Sequence, residues 1–319
     1  MTIVDAHHHL WDLSVRDQPW LAHPELAPLR RNFTLPDLEP IAHAEGVTST
    51  VLIQTVNDPA ETPEMLALAS ASDLVAGVVG WVDLAAPGVS AAIGALRQLP
   101  GAGFLAGIRH PVLFEPDPGW LARPEILRGL AAVADAGLVF DLVVTPAHLP
   151  AAVAAAASMP DLTFVLDHLG NPDVVSVVDE QWAGSVGDLA ALPNTACKLS
   201  GILGEPAPGG ANAMNGASGP DLADPAAEAT DVAYVAGTGG HTAASVAHMR
   251  PYYQIALDGF GPDRMMYGSD WPVSMLGSPY AMVISAARIL TADLSAAERA
   301  AIFSGTARRI YGLSDPATP

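Results

Sequence analysis

The hydrophobic residues of the chain fall into short, nearly continuous runs that alternate with longer stretches of helical periodicity. Eight of these runs predict buried β-strands, at 2–7, 49–54, 75–83, 104–110, 138–144, 162–168, 195–201 and 264–270. The helical patterns between them include 61–72, 88–98, 124–136 and 148–158. After the last strand, Ser295 and Glu298 have the spacing of a capping box, which predicts the start of another helix.

Strands that are hydrophobic along their whole length are typical of a parallel sheet covered by helices. Eight strand–helix units in a chain of this length predict a (β/α)8 TIM barrel. An open, doubly wound sheet is the alternative, but no GxGxxG or GxxxxGK[ST] motif stands at a strand-to-helix turn. We therefore predict one barrel domain over 1–319. Its inserted, loop-rich segment at 203–248 is either a mobile surface insertion or a lid over the cavity.

Composition narrows the classes of partner. Half of the 319 residues are hydrophobic, and the formal net charge of −20 argues against binding to nucleic acid or to an anionic membrane. No uncharged run is long enough to span a bilayer, and no signal peptide precedes the first strand. The one cysteine, Cys197, fits a reducing compartment. We expect a cytoplasmic protein with a small-molecule substrate, and we leave assembly into a homo-oligomer open.

Barrel enzymes place their chemistry where the strands end, so the polar residues at those positions are candidates for one shared site. The candidates at the predicted strand ends are His7, His9, Gln54, Trp81, Asp83, Arg109, His110, Asp141, Asp167, His168, Lys198, Ser200, Ser269 and Asp270. Each of them alone could instead satisfy loop backbone groups. Their convergence on one cavity is what favours function.

Three consecutive histidines, in VDAHHHLWD at 4–12, end the first strand. Successive side chains of a strand point to opposite faces, so His7 and His9 should lie on one face and His8 on the other. The flanking strand residues argue against a tag remnant. This pattern predicts a pair of imidazoles facing the cavity, with His8 as a structural neighbour.

A set of strings distributed along the chain resembles the amidohydrolase superfamily. These are VDAHHHLWD, GVVGWVDL, AGIRHPV, GLVFDLVV, FVLDHLGNPD, CKLSG and FGPDRMMYGSDWPV. The resemblance extends from residue 3 to about residue 313. It is most specific to the lactonase branch, which includes L-fuconolactonase, L-rhamnonolactonase and 2-pyrone-4,6-dicarboxylate lactonase.

The resemblance implies roles for particular residues. His7 and His9 would bind a divalent metal or polarise a carbonyl, and His168 would join them. Asp270 would take a proton from the hydrolytic water and complete the ligand set. Arg109 would orient the substrate. Further candidates for substrate contact are Trp81, Asp141, His148 and Lys198, although a buried ion pair is an equal alternative for Lys198.

The fourth strand departs from the pattern of dinuclear superfamily members. Those members bridge two metals with a carbamylated lysine or a glutamate on this strand, whereas here it ends in Arg109 and His110. Lys198 comes three strands later, and the fifth strand offers Asp141 where many members have a histidine. We therefore expect at most one divalent metal, Zn²⁺ or Mn²⁺, with a metal-free site as the alternative.

The resemblance and these residues together predict a hydrolase that opens the ring of a lactone, most readily the lactone of a sugar acid. Ester hydrolysis needs a base that activates water and an electrophile near the oxygen that gains negative charge. One alternative is a metal-dependent, non-oxidative decarboxylase of the same superfamily. The other is a non-catalytic protein that binds sugar acids.

Overall fold

Eight parallel strands form the frame of the molecule. The computed structural model describes residues 2–174, 178–201 and 241–314. The strands are β1 (Ile3–His8), β2 (Val47–Ile53), β3 (Val75–Gly80), β4 (Leu105–His110), β5 (Val139–Leu142), β6 (Phe164–Leu166), β7 (Thr195–Leu199) and β8 (Met265–Tyr267). Each strand pairs in parallel with the next one along the chain. The eight predicted strands and the TIM-barrel fold are confirmed.

Helices connect the strands and cover the outside of the barrel. They are α1 (Leu35–Ala44), α2 (Glu61–Ser70), α3 (Val89–Leu96), α4 (Pro124–Asp135), α5 (Leu149–Ser158), α6 (Glu180–Ala190), α7 (His241–Phe260), α8 (Tyr280–Leu290), α9 (Ala296–Ala300) and α10 (Thr306–Tyr311). The four helices predicted between strands correspond to α2, α3, α4 and α5. The predicted capping box starts α9, where Ser295 N–H donates to Glu298 at 2.7 Å.

The barrel closes just beyond the short strand β8. Asp270 N–H donates to His7 O at 2.8 Å, and His9 N–H donates to Trp271 O at 2.7 Å. The buried carboxylate of Asp5 accepts a hydrogen bond from Ser269 N–H at 2.8 Å. These bonds join the first strand to the segment after the last one, so the His-rich end of β1 lies beside Asp270.

An irregularity in β1 decides which histidines face the interior. Val4 and Ala6 pack in one small cluster with residues from six other strands, which is geometrically feasible only inside the barrel. The register with β2 shifts between Asp5 and His8, and His7 rather than His8 then faces inward. His8 points outward, with Nε2 3.0 Å from the Thr50 hydroxyl. The predicted grouping of His7 with His9 is therefore correct, although simple alternation from Ala6 would give the opposite result.

The C-terminal helix closes the other end of the barrel. Ala307 and Tyr311 of α10, with Leu313 beyond it, belong to the interior cluster of strand residues. This plug leaves the rim at the carboxyl ends of the strands as the open end. Among the helices within the described ranges, none is long and apolar enough to cross a membrane.

The predicted insertion at 203–248 lies mostly outside the described residues. Its last part, 241–248, belongs to α7, so the expected loop ends earlier than its composition indicated. The physical reason is the alanine content of this part, HTAASVAH, which favours helix once the Gly- and Pro-rich residues end.

Two glycines on neighbouring helices provide a test of this packing. A Cβ on Gly129 of α4 would overlap the carbonyl oxygen of Leu84, whereas one on Gly94 of α3 would meet open space. We expect Gly129→Ala to lower the free energy of unfolding by about 1–3 kcal/mol, because backbone must move. Gly94→Ala should raise it by up to about 1 kcal/mol, because alanine is the better helix former. Urea denaturation of both variants measures the two changes in the free energy of unfolding. Equal denaturation midpoints would contradict the close contact between Gly129 and the carbonyl oxygen of Leu84.

Candidate active site

A cleft opens at the carboxyl ends of the strands. Its lining combines a group of polar side chains with several apolar ones. The polar residues are His9, Thr55, Arg109, His168, Asn171 and Asp270. The apolar residues include Trp20, Leu113, Phe114, Val143, Val273 and Leu276. Four of the residues singled out from the sequence, His9, Arg109, His168 and Asp270, therefore meet in one cleft.

Two of these residues have strained backbones. Asp270 has φ 57° and His168 has φ 54°, in the left-handed region that non-glycine residues rarely adopt. Such a conformation costs roughly 1–2 kcal/mol per residue. Asp270 is held by its backbone bond to His7, and His168 N–H donates to the Ser200 hydroxyl at 3.3 Å. Strain that is fixed by surrounding bonds is common at functional sites, since it aims a side chain that relaxed backbone would turn away.

Four side-chain atoms converge at the base of the cleft. The Nε2 atoms of His7 and His9 lie 3.1 Å apart. The Oδ1 atom of Asp270 is 3.6 Å from His7 Nε2, 3.5 Å from His9 Nε2 and 4.0 Å from His168 Nε2. A tetrahedral zinc ion with bonds of about 2.0–2.1 Å places its ligands about 3.3 Å apart. The four distances range from 3.1 to 4.0 Å, so the contacts among His7, His9 and Asp270 are close to that value and the one to His168 is longer.

The hydrogen-bond partners of the Nδ1 atoms of His7 and His9 determine whether their Nε2 atoms can bind a metal. His9 Nδ1 lies 2.9 Å from Ile53 O, and because a carbonyl can only accept, that nitrogen carries the proton. His7 Nδ1 lies 3.4 Å from Asp167 Oδ1 and 3.2 Å from the Lys198 ammonium, so it can donate to the carboxylate or accept from the ammonium. When His7 carries its proton on Nδ1, the Nε2 lone pairs of both rings face each other; when it carries the proton on Nε2, that nitrogen donates to His9 Nε2.

In the tautomer with both lone pairs facing each other, the two nitrogens repel, and a cation bound between them would remove the repulsion. Burial lowers the pKa of His7 well below its usual value and that of His9 to about 3, so both imidazoles are neutral near pH 7 and able to act as ligands. Imidazole nitrogens with one carboxylate oxygen are ligands that suit a divalent transition metal. Within the described ranges, His7, His168 and Asp270 form a group whose ligand atoms lie within 4.8 Å of one another. The residues present fit a His/Asp metal site.

Arg109 lines the cleft, but most of its guanidinium is already occupied. Nη2 donates to Gln54 O at 2.6 Å, and Nη1 lies 3.2 Å from Asp167 Oδ2. Its Nε is buried and, in the part of the chain that the structure describes, has no hydrogen-bond partner. A substrate-orienting role for Arg109 stays a prediction. Its guanidinium also holds the carboxylate of Asp167 in place.

Asp141 and Lys198 lie beneath the cleft and do not line it. Both are fully buried, with Lys198 Nζ 2.5 Å from Asp141 Oδ2 and 3.0 Å from Asp167 Oδ1. Burial raises the pKa of Asp141 to about 6. Burial would also raise the pKa of Asp167, but the charge of Lys198 and the nearby His7 hold it well below the usual range. The geometry corresponds to the buried ion pair that was the alternative for Lys198, not to substrate contact.

Trp81 and His148 form hydrogen bonds between segments that follow the strands, at the edge of the site. Trp81 Nε1 donates to His110 Nδ1 at 3.2 Å, and His110 Nε2 donates to Glu115 at 2.8 Å. Both ring nitrogens of His148 also have protein partners, Glu115 O at 3.0 Å and the Thr145 hydroxyl at 2.7 Å. The structure does not bring Trp81 or His148 to the cleft, and their substrate contact stays a prediction.

Several residues of the site were given no role by the sequence. Asn171 reaches the cleft from a left-handed position with φ 49°, and Thr55 follows β2. Asp167, at the end of β6, was a strand-end candidate without a role, yet it contacts His7, Arg109 and Lys198. A strand-end position identifies such a residue, whereas its partners depend on the closed barrel.

Comparison with known proteins agrees with this geometry. The amidohydrolase family model matches residues 4–313. An L-fucono-1,5-lactonase of Burkholderia ambifaria is 32% identical over 317 residues, which cover 98% of this chain and 96% of the relative. An L-fucono-1,5-lactonase of Burkholderia multivorans is 33% identical, covering 98% of this chain and 97% of the relative.

A solved structure extends the similarity to three dimensions. An amidohydrolase from Burkholderia multivorans with bound zinc superposes with a TM-score of 0.82 at 30% sequence identity, over 98% of this chain and 100% of that chain. Fold, site geometry and sequence therefore agree that this chain belongs to the amidohydrolase family.

Proposed function

We propose that this protein hydrolyses the ring ester of a lactone, with L-fucono-1,5-lactone and related sugar-acid lactones as the first candidates. The observation that carries the proposal is the convergence of three imidazole Nε2 atoms and the Asp270 carboxylate in one cleft. Similarity over nearly the full chain to two L-fucono-1,5-lactonases supports this reaction over a decarboxylase or a non-catalytic binding protein.

Asp270 is the proposed general base. It lines the cleft, and burial raises the pKa of its carboxyl group above the ordinary value, so the carboxylate accepts a proton more readily than an exposed one. His168 Nε2 lies 4.0 Å from the same carboxylate oxygen, and its Nδ1 is 2.8 Å from the Ser200 hydroxyl. His168 is thus held where it can share the proton that Asp270 takes from water.

His7, His9, His168 and Asp270 would hold one divalent metal, Zn²⁺ or Mn²⁺. Such an ion, when bound, polarises a carbonyl oxygen and lowers the pKa of water. Arg109 is proposed to orient the lactone from the same cleft, where the positive charge of its guanidinium also favours an anionic product. A cytoplasmic location and a homo-oligomer stay predictions from the sequence.

The reaction itself is tested with a panel of aldono- and dicarboxylate lactones in weak buffer containing a pH indicator. Opening one lactone releases one proton near neutral pH and no gas, whereas decarboxylation releases CO₂. We expect acidification that depends on the protein and is fastest with a sugar-acid lactone. CO₂ release from an aromatic carboxylate, with no acidification by any lactone, would assign the protein to the decarboxylase alternative.

The role of Asp270 is tested by Asp270→Asn, which keeps the shape of the side chain and removes the proton acceptor. General-base catalysis contributes about 10²–10⁴-fold to a rate, so kcat should fall by that factor. Asp263→Asn is the matched control, because this carboxylate is exposed on the connection to the same strand. Asp263→Asn should keep the parental kcat. An Asp270→Asn variant that keeps more than about a tenth of kcat would exclude this base.

The three consecutive histidines allow a sharp test of the metal site. Elemental analysis should give about one Zn²⁺ or Mn²⁺ per chain, as four ligands at one centre require. His9→Asn should abolish the bound metal, because His9 Nε2 faces the cluster. His8→Asn should retain it, because His8 points to Thr50 on the outer face. Two metal ions per chain, or equal loss in both variants, would contradict the mononuclear site.

A further inference from the structure

The residues that follow β4 form part of the apolar lining of the cleft. Pro111, Leu113 and Phe114 all line it, and we call residues 111–114 the wall segment. Its only regular structure is one short turn of 3-10 helix, Val112–Phe114. Such turns have poor hydrogen-bond geometry and are used in short pieces, so the position of the wall segment depends on the contacts at its two ends.

Glu115, the residue directly after the wall segment, is held by two histidines. Its carboxylate accepts a hydrogen bond from His110 Nε2, with 2.8 Å between the atoms. Its backbone carbonyl accepts one from His148 Nε2 at 3.0 Å. Both histidines are buried, and neither of them lines the cleft. Because His110 ends β4 and His148 follows β5, Glu115 is fastened to two neighbouring strands.

The proton of His110 is placed by its partners. An indole N–H can only donate, so the bond from Trp81 Nε1 at 3.2 Å requires an unprotonated His110 Nδ1. The ring then carries its proton on Nε2, the nitrogen that contacts Glu115. The ring also stacks on Trp120, with centroids 4.3 Å apart and planes 14° from parallel. His110 is therefore a hydrogen-bond donor with a fixed direction.

The position of the wall segment matters because polar groups occupy much of the remaining lining. Arg109, His168 and Asp270 line the same cleft. A sugar-acid lactone has both hydroxyl groups and C–H surface, and Leu113 and Phe114 are suited to contact the C–H surface. These contacts involve no reacting atom, so they act equally on the bound substrate and the transition state. Loss of such contacts raises KM and leaves kcat unchanged.

We propose that Glu115 is a positioning residue, which holds the wall segment against the lactone through the hydrogen bond from His110. The proposal rests on the lactone hydrolysis proposed above. It gives a role to the buried histidine of AGIRHPV, which neither the proposed metal site nor the proposed base uses.

The test compares two substitutions of Glu115. Glu115→Ala removes the acceptor, whereas Glu115→Gln keeps an oxygen that can accept from His110 Nε2. One methylene in a hydrophobic pocket contributes about 10–200-fold to kcat/KM, so Glu115→Ala should raise KM about tenfold. Its kcat should stay within about twofold of the parent. Glu115→Gln should keep the parental KM. Steady-state kinetics with the best lactone of the panel measures both constants.

Asp117→Ala is the matched control. This carboxylate lies on the same connection after β4, and its ion pair with Arg123 is exposed on both sides. Exposed ion pairs contribute little, so this variant should keep the parental KM. If Glu115→Ala does not fold, His110→Phe breaks the same hydrogen bond, keeps an aromatic ring against Trp120 and should raise KM in its place.

Hydrogen exchange reports on the wall segment without turnover. The Leu113 amide donates to Val143 O at 3.1 Å, and the Glu115 amide donates to Val112 O at 2.9 Å. Loosening of the wall segment would open these bonds. Mass spectrometry of a peptide that covers 111–116 should therefore show faster exchange in Glu115→Ala than in the parent, in Glu115→Gln or in the control variant.

Parental exchange in Glu115→Ala would overturn the inference, and so would faster exchange with an unchanged KM. An equal rise in KM in Glu115→Gln would also overturn it, because the hydrogen bond would then not be the cause. A parent that hydrolyses no lactone would overturn the proposed reaction alone, since exchange in the same variants would still decide whether Glu115 holds the wall segment.

Discussion

The site depends on the closure of the barrel between its first strand and the segment after its last one. Closure pairs the backbone of His7 with that of Asp270, and the backbone of His9 with that of Trp271. The buried Asp5 carboxylate reinforces the same junction by accepting from Ser269 N–H. Without this junction the histidines and the aspartate would be on opposite edges of an open sheet. The chemistry is thus a consequence of the topology.

Much of this could be predicted from the sequence, because it depends on local pattern. Hydrophobic runs gave the strands, and the carboxyl ends of parallel strands necessarily share one rim. His7, His9 and Asp270 stand at such ends, so their proximity required no knowledge of the loops. The capping box at Ser295 is also local, since both of its partners lie within one helical turn.

The remainder depends on contacts between distant parts of the chain. Nothing in the residues around Lys198 shows that its ammonium lies between two buried carboxylates, or that Tyr311 reaches one of them from the opposite end of the barrel. The orientation of His148 is decided by loop atoms of Glu115 and Thr145. The register shift in β1 likewise results from pairing with β2, which the pattern of one strand does not specify.

The left-handed backbones of His168 and Asp270 bear on how this enzyme can change. Glycine would relax either position, since it adopts positive φ without steric cost. The most stable sequence for this fold is therefore not the functional one, and selection for stability alone would erase the site. Thermostabilised variants chosen without an activity screen are expected to lose the side chains of His168 and Asp270 before any side chain of the core. Variants that keep both side chains have therefore been selected for catalysis.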